Sequence, residues 1–428
     1  MIDLLRSKAF VSALLGVSLS FMLSHSKTAQ ASSRVCGDDL VWCLFSNLTG
    51  VDPFQAELQT FKNFYQAQLD AGNSQELALE ATAKEIASNV AEFQTVRLKS
   101  FAEPWTHKDG DLGSPLNDTI LTIIKMIVDE QDFRRILYDD IIAVATGTPK
   151  DADKLVLADG TEIPQYYNRS NDHFQALENA QVYHKPGVVV ISSQSPATHK
   201  NPSAIAGILS QGGFGRAAFL AGTNRRAIPM LLREATCHEL DEIKDTSGTE
   251  KYILRDVTRI GSDGVKEFKN NCKGCHSFMD QIAPAFAYYE ANAGDVSGIA
   301  VVYDEPLEVT SSLPPSNKMM KVVSAIGYIP KNDEWRAEFT DGQITSLGWP
   351  NDPNSKKGFG AKELGRAFAN SGAFASCQPK RAFKAVCGNP TEKDAAFLEL
   401  MKKEFTENGY NLKSVFLKSA VYCAGGQK

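Results

Sequence analysis

Apolar residues recur at helical spacing over long stretches of the chain. In the stretch 52–69, Asp52 is a candidate N-cap and Pro53 stands in the first turn. The apolar positions there follow the period of an amphipathic helix that faces a core, and they are Phe54, Leu58, Phe61, Phe64 and Tyr65. The same period predicts a helix after Ser74, two helices over 117–147 broken near 129–132, and helical structure over 201–240 interrupted at "SQGGFG".

The C-terminal pattern is helical too, whereas strand signals are few. Thr391 and Asp394 resemble a capping box, Gly409 is a natural stop, and a last helix is predicted over 411–423; the apolar face before the stop consists of Phe397, Leu398, Met401 and Phe405. The run "GVVVIS" at 187–192 predicts a strand. The block 298–360, rich in Pro, Gly, Asn and Asp, is expected to be loop-rich with short strands at most. The predicted fold class is therefore mainly α.

The first residues have the pattern of a secretory signal peptide. Arg6 and Lys8 precede an apolar run over 9–23, and Ala29 and Ala31 occupy the small-residue cleavage positions. A membrane anchor is the alternative, but the run of about 15 residues is shorter than the ~20 that span a bilayer. We therefore expect cleavage after Ala31, no membrane span in the mature chain, and a periplasmic or secreted location.

Charge and composition narrow the function classes. The chain is 43% hydrophobic and 22% charged, which is enough apolar material for a sizeable core. Removing residues 1–31 takes away one acidic and three basic residues, so the net charge changes from −6 to −8. An acidic exported chain is a poor partner for nucleic acid or for an anionic membrane surface.

The chain has eight cysteines, and two of them belong to a motif, "CKGCH", formed by Cys272, Cys275 and His276. In an exported protein this C-x-x-C-H pattern is typical of covalent haem attachment, because the two thiols can add to the haem vinyl groups and the adjacent imidazole can ligate the iron. Zinc is an alternative, although neighbouring cysteine and histidine fit a tetrahedral site poorly and further ligands such as Cys237 or His238 would be needed. A simple C-x-x-C disulfide is the third possibility, without the βαβ context of redox enzymes.

The six remaining cysteines allow three disulfides and fifteen pairings. Cys36 and Cys43 are close in sequence and are paired first. If Cys377 and Cys387 share one helix, about 15 Å separates them, whereas a disulfide needs Cα atoms within ~7 Å. The predicted bonds are therefore Cys36–Cys43, Cys237–Cys377 and Cys387–Cys423.

The flanks of the motif are similar to those of a cytochrome c. Phe268 lies one turn before Cys272, where cytochromes c carry an aromatic residue that packs on a C-terminal helix. Pro284 resembles the proline whose neighbouring carbonyl accepts the Nδ1–H of the ligand histidine. These two residues are predicted to belong to the haem site, with plain core and plain turn as the alternatives.

A wider resemblance covers about three quarters of the mature chain. The ordered segments "IVDEQDFRRILYDDI", "AGILSQGGF…TNRRAIPMLLREATC", "CKGCHSFMDQIAPAFAYYE" and the helical stretch from 362 to 421 resemble the secreted c-type haem proteins of planctomycetes and myxobacteria that are built from modules of unknown function. The resemblance implies helical modules around a cytochrome c-like haem segment with one covalent haem c. Gln281 departs from the usual proline after Met-Asp, the polyproline stretch after the counterpart of Cys237 is missing, and the block 298–360 is longer than usual.

The predicted organisation has five parts, and the second iron ligand is expected within the fourth. Met319 or Met320 in the loop-rich block is the first candidate, whereas Met279 would stay on the side of His276 if its helix continues. A histidine such as His199 or His238, or an open site, is the alternative. The parts are a signal peptide 1–31, an N-terminal helical region 32–150, a mixed, mostly helical module 151–255, a cytochrome c-like haem segment 256–360 and a C-terminal helical module 361–428.

Three functions remain in competition. The first is an exported mono-haem cytochrome that transfers electrons to a redox partner protein, with no catalytic residues. The second is a haem enzyme of peroxidase type, for which Arg233, His238 and Glu239 on one helix would supply acid–base groups. The third is a scaffold or binding protein with a structural haem, favoured by the ~230 residues that precede the motif.

Overall fold

Helices account for most of the computed structural model, which describes residues 39–166, 171–194, 205–219, 224–253, 272–291, 301–303, 330 and 332–426. The predicted mainly α fold is confirmed. Fourteen α-helices lie in this described part: α1 (Leu40–Thr49), α2 (Gln55–Asp70), α3 (Gln75–Asn89), α4 (Lys99–Ala102), α5 (Asp118–Val128), α6 (Asp172–Asn179), α7 (Gly212–Ala218), α8 (Ala227–Leu231), α9 (Lys273–Ile282), α10 (Asp341–Leu347), α11 (Gly360–Ala369), α12 (Gly372–Cys387), α13 (Ala395–Glu407) and α14 (Leu412–Val421).

The strands of the described residues are short and all of their pairings are antiparallel. The first pairs with the fifth, the second to fourth form one small sheet, the sixth pairs with the seventh, and the eighth with the ninth. Their bounds are β1 (Ile142–Ala145), β2 (Thr148–Pro149), β3 (Lys154–Val156), β4 (Glu162–Pro164), β5 (Val189–Ser192), β6 (Tyr289–Ala291), β7 (Val301–Tyr303), β8 (Glu334–Arg336) and β9 (Lys357–Phe359).

The helical core centres on α14, which packs against α12, α3 and α1. Phe416 of α14 is fully buried, and its ring lies 6.3 Å from that of Phe93 and 5.2 Å from that of Phe101. The capping box of Thr391 and Asp394 is present ahead of α13, as predicted. Gly409 has a φ of +67°, which explains why the helix α13 stops there.

Two helix predictions were wrong in detail. Asp52 is not the N-cap of α2, because the helix begins at Gln55 after Phe54. Phe54 is 83% exposed and only Phe61 of that stripe is buried, so α2 lies at the surface. The second helix predicted within 117–147 is instead a 3₁₀ turn, Phe133–Leu137, followed by β1. A short apolar run such as 141–145 fits either state, and pairing with the correctly predicted strand β5 decides for strand.

The "SQGGFG" interruption is the start of α7. Asp118 accepts hydrogen bonds from the backbone N–H groups of Gly212 at 2.7 Å and Gly213 at 2.8 Å. A Cβ on Gly213 would stand 2.3 Å from Asn117 Oδ1, so only glycine permits this approach. Within the described part of the loop-rich block 298–360, the chain forms an α-helix that was not predicted, α10, whose capping box is formed by Thr340 and Gln343.

Disulfide bonds tie the C-terminal helices together and to the segment before α9. Cys237–Cys377 and Cys387–Cys423 both form, as predicted, with Cα–Cα distances of 5.3 and 5.9 Å. Cys377 and Cys387 do share one helix, α12. Cys43 is also disulfide-bonded, and its predicted partner, Cys36, lies outside the described residues.

Candidate functional site at the C-x-x-C-H motif

The C-x-x-C-H motif occupies the first turns of α9. Cys272 is the N-cap residue, and Cys275 and His276 follow within the helix. Residues three and four positions apart lie on one face of a helix, so the two thiols and the imidazole share a face. All three are partly exposed, whereas Phe278 and Ile282, three and seven residues after Cys275, are fully buried. The later turns of α9 are thus anchored in the core, and its first turn presents the motif at the surface.

Residues 237–253, which precede α9 in the chain, support the start of that helix. The N–H of Asp245 donates to the carbonyl of Gly274 at 3.1 Å, and the Ser277 hydroxyl donates to the carbonyl of Asp245 at 3.0 Å. Lys273 pairs with Glu250 at 2.9 Å. The disulfide of Cys237 ties the beginning of the same segment to α12. The first turn of α9 is therefore held to the C-terminal helices by the chain that precedes it.

The two motif thiols are free in an otherwise oxidised set of described cysteines. Burial, followed by the nearby Asp241 carboxylate, raises the pKa of the Cys275 thiol above its ordinary value. The Cys275 Sγ lies 3.9 Å from Asp241 Oδ1. Cysteines of redox C-x-x-C pairs have lowered pKa values because their thiolate is the nucleophile. The environment of Cys275 has the opposite effect and does not favour a thiol–disulfide redox site.

The zinc alternative loses one of its candidate ligands. Cys237 is bonded to Cys377, so its sulfur is not a thiolate donor. His238 has its Nε2 3.2 Å from the carbonyl of Ser346 and its Nδ1 3.3 Å from Glu242. Among the described residues, no three histidine, cysteine, aspartate or glutamate side chains are arranged to hold a metal ion. The motif therefore receives no further zinc ligand from this part of the chain.

The imidazole of His276 faces a buried carboxylate. Its Nδ1 lies 3.0 Å from Oδ2 of Asp280, one turn further along α9. The Asp280 side chain is fully buried, and the guanidinium of Arg225 contacts both of its oxygens, Nε to Oδ1 at 2.8 Å and Nη2 to Oδ2 at 3.1 Å. Three groups thus form a chain from Arg225 through Asp280 to His276.

This partner differs from the one predicted for the histidine. The carbonyl beside Pro284 was expected to accept the Nδ1–H, but Asp280 occupies that role. Pro284 stands in a 3₁₀ turn, Ala283–Phe286, and its own carbonyl accepts the N–H of Ala287 at 2.8 Å. The reason is geometric, because a carboxylate at i+4 on the same helix is the nearest acceptor for a ring at position i.

Asn224 and Arg225 fix both the carboxylate and the chain that follows α9. The Asn224 amide donates to the carbonyls of Phe286 and Tyr289, each at 2.7 Å. Asn224 is buried and has a φ of +53°, a conformation that asparagine tolerates better than most residues. The motif pattern does not point to Asn224, Arg225 or Asp280, although the "TNRR" and "MDQ" letters belong to the segments that carry the resemblance to the secreted haem proteins.

Gln281, which departs from the family pattern, joins α9 to the segment after β8. Its Oε1 accepts the N–H of Glu338 at 2.7 Å, and its Nε2 lies 3.3 Å from the carbonyl of the same residue. Beside it, the rings of Phe278 and Phe339 stack at 4.4 Å, and Phe339 contacts Trp349 at 5.2 Å. A proline at 281 could not make this two-point contact, so the departure is a local difference in how α9 is anchored.

The other predicted site residues do not assemble around the motif. The helical segment that carries Arg233 ends at Cys237, whose φ is +57°, so His238 and Glu239 are not on the same helix. Arg233 contacts Glu234 and the carbonyls of His107 and Lys108. Met279 lies within α9, which continues to Ile282, as the argument against it requires. Four candidates lie outside the described residues: Phe268, Met319, Met320 and His199.

The residues present fit a covalently attached haem. The two thiols are unbridged, partly exposed and one helical turn apart, as thioether formation with two vinyl groups requires. With Nδ1 of His276 facing Asp280, Nε2 is the nitrogen at which iron would bind. A ligand histidine whose second nitrogen contacts a carboxylate is a common arrangement at metal sites.

Comparisons with protein-family models, curated proteins and solved structures find no match to this chain. Among the described residues, none of the helices has the length and apolar character needed to cross a bilayer. The two disulfides of the C-terminal helices are compatible with an exported protein, because such bonds persist in oxidising compartments.

Proposed function

We propose that this chain is an exported, periplasmic or secreted, mono-haem c-type cytochrome that transfers electrons. The observation that carries the proposal is the state of the cysteines. Cys237, Cys377, Cys387 and Cys423 are oxidised in pairs, whereas Cys272 and Cys275 stay free beside His276 on one partly exposed helical face. In an exported chain whose other described thiols form disulfides, two neighbouring thiols that remain unbonded are best explained by a covalent cofactor that reacts with them.

The proposed roles follow the positions in α9. Cys272 and Cys275 would hold the haem through thioethers, and His276 would ligate the iron through Nε2. When bound, the haem supplies a one-electron Fe(III)/Fe(II) couple. Asp280 and Arg225 orient the imidazole, and the buried face of α9 fixes the whole motif against the core. Because the motif lies at the surface, one edge of the haem would be accessible to a redox partner protein.

We further propose Met319 or Met320 as the second axial ligand. They lie 43 and 44 residues after His276, respectively, in the loop-rich block. Met279 is held within α9 next to the histidine and cannot reach the opposite face of the ring. A thioether ligand raises the reduction potential, which suits electron transfer.

A haem enzyme of peroxidase type is the second candidate. The contact of His276 with the Asp280 carboxylate favours it, because a carboxylate partner makes the ligand more basic. Against it, Arg233 and His238 do not face α9 together, since their side chains contact carbonyls in different parts of the molecule. A structural haem in a scaffold protein is the third candidate, and it predicts no redox partner.

Optical and near-infrared spectra of the haem-loaded protein distinguish these functions. We expect a six-coordinate low-spin spectrum and, in the ferric state, the weak near-infrared band of a sulfur ligand. The double variant M319A/M320A should lose that band and acquire a lower potential, whereas the control M279L should keep both. A high-spin spectrum in the wild type would contradict the electron-transfer assignment and support the catalytic one.

A further inference from the structure

The buried carboxylate of Asp280 lies between a cation and the motif histidine. Its Oδ1 faces Arg225 Nε at 2.8 Å, and its Oδ2 is shared between Arg225 Nη2 at 3.1 Å and His276 Nδ1 at 3.0 Å. The exposure of the Asp280 side chain is 0%, that of Arg225 is 13% and that of His276 is 26%. The imidazole is therefore the end of this chain of contacts that lies nearest to solvent.

A buried ion pair of this kind contributes little net stability. Removing two charges from water costs about as much free energy as their attraction returns, and apolar residues of similar volume often serve as well. The arrangement at Asp280 is thus not explained by stability alone. Its geometry does have a consequence for the histidine, because Oδ2 also contacts Nδ1 of His276.

The carboxylate fixes the tautomer and the electron density of the ring. A carboxylate oxygen that already pairs with a guanidinium accepts a hydrogen bond, so the contact favours the ring tautomer with its proton on Nδ1 of His276, which leaves Nε2 as the nitrogen that can ligate iron. A carboxylate partner makes the ligand more electron-donating, and a more electron-donating ligand stabilises ferric over ferrous iron. A backbone carbonyl, the partner expected from the sequence, carries no net charge and polarises the ring less.

We infer that Asp280 is a positioning residue that lowers the reduction potential of the haem through His276, and that Arg225 holds it in place. This inference rests on the proposed function, since it concerns the iron that His276 would ligate. The segment before α8 therefore acts on the redox chemistry of the motif in α9, although 51 residues separate Arg225 from His276 in sequence.

The test compares two variants that change charge identically. D280N keeps a side-chain oxygen near Nδ1 and removes the negative charge. D245N removes a negative charge beside the first turn of α9, close to the motif, where the Asp245 carboxylate contacts Ser247 rather than the histidine. In the haem-loaded protein, D280N should shift the redox equilibrium at least tenfold toward the ferrous form, about 59 mV for one electron, whereas D245N should leave the potential unchanged.

Each outcome decides a separate question. If wild-type protein contains covalent haem but D280N has the wild-type potential, the inference is overturned and the proposed function stands. If the wild type contains no covalent haem, the proposed function fails first. Should D280N not fold, the Nδ1 proton of the ferrous wild type decides by NMR: slow exchange with solvent supports the inference, and rapid exchange contradicts it.

Discussion

Helices α9 and α12 each carry two cysteines and use them in opposite ways. In α12, Cys377 and Cys387 are ten residues apart, and each forms a disulfide with a residue outside the helix. In α9, Cys272 and Cys275 are one turn apart, and both remain free. Spacing explains the difference, because cysteines far apart on a helix can each reach a separate element, whereas cysteines one turn apart lie side by side on one face.

Buried charges show the same contrast. Beside α12, Arg381 pairs with Glu234 at 2.6 Å and donates to the carbonyl of Phe101, and Glu234 also pairs with Arg233. These contacts join three elements of the fold. Beside α9, the pair of Arg225 and Asp280 ends at His276, whose side chain is partly exposed. The C-terminal helices therefore serve as the frame, and α9 carries the motif for which haem attachment is proposed.

The largest expected effect is the loss of the bond between the frame and the segment before α9. The variant C237A/C377A opens a loop of 140 residues and should lower the free energy of unfolding by about 5 kcal/mol. The matched variant C387A/C423A opens a loop of 36 residues and should cost about 4 kcal/mol. Denaturant unfolding measures both. If both variants are as stable as the wild type, the disulfides of α12 do not stabilise the fold, and the structural role assigned to α12 is contradicted.

The next effect concerns the ion pair between Arg381 of α12 and the buried Glu234. R381M removes the partner of Glu234 and leaves a buried carboxylate with Arg233 alone, so the variant should be less stable by about 3 kcal/mol. The spectrum and potential of the haem-loaded protein should not change, because Arg381 contacts Glu234, Phe101 and Trp105, which lie outside α9. A shifted potential would show that the two regions are not separable in this way.

The smallest effect contrasts two histidines. His173 is buried, its Nδ1 donates to the carbonyl of Pro164 at 2.8 Å, and its Nε2 accepts the N–H of Ala145 at 3.1 Å. Burial lowers the pKa of His173 below its ordinary value, although the Pro164 carbonyl opposes the shift. Its role is therefore structural, whereas His276 has one edge near solvent.

The pH dependence follows from the direction of that shift. Below about pH 6.5 the unfolded chain binds a proton at this histidine more readily than the folded chain does, so stability is lost as the pH falls through this window. H173Q should be about 1 kcal/mol less stable at pH 7.5 and should lose this component of the pH dependence. Urea midpoints from pH 5 to pH 7.5 test it, and identical slopes in both proteins would contradict the assignment.

The sequence was informative where local chemistry decides the outcome. The helical class, the strand at 187–192, the cap at Thr391 and the exclusion of a Cys377–Cys387 bond follow from period, β-branching, side-chain hydrogen bonding and helix rise. At the site, the motif letters and their helical spacing were equally readable. The position of Met279 on the continuing helix also followed from α-helical geometry.

The remaining features depend on contacts between distant residues. Nothing local to 141–145 distinguishes a strand from a helix, and the pairing with β5 does. The exposure of Phe54 follows from which faces α1 and α3 cover. The role of Asp280 required Arg225, which lies 55 residues earlier and approaches only once the chain is folded. The carboxylate of Asp280 is visible in the sequence after the motif, but its pairing with Arg225 is not.

The most direct test of the central claim is the intact mass of protein produced in cells that contain the cytochrome c maturation machinery. The wild type should exceed the mass of its processed polypeptide by one haem, even after denaturation, and C387A/C423A should keep that increment in whatever fraction folds. C272A/C275A should lack it. A denatured wild-type protein whose mass equals that of the polypeptide alone would contradict the assignment of α9 as the haem-bearing helix.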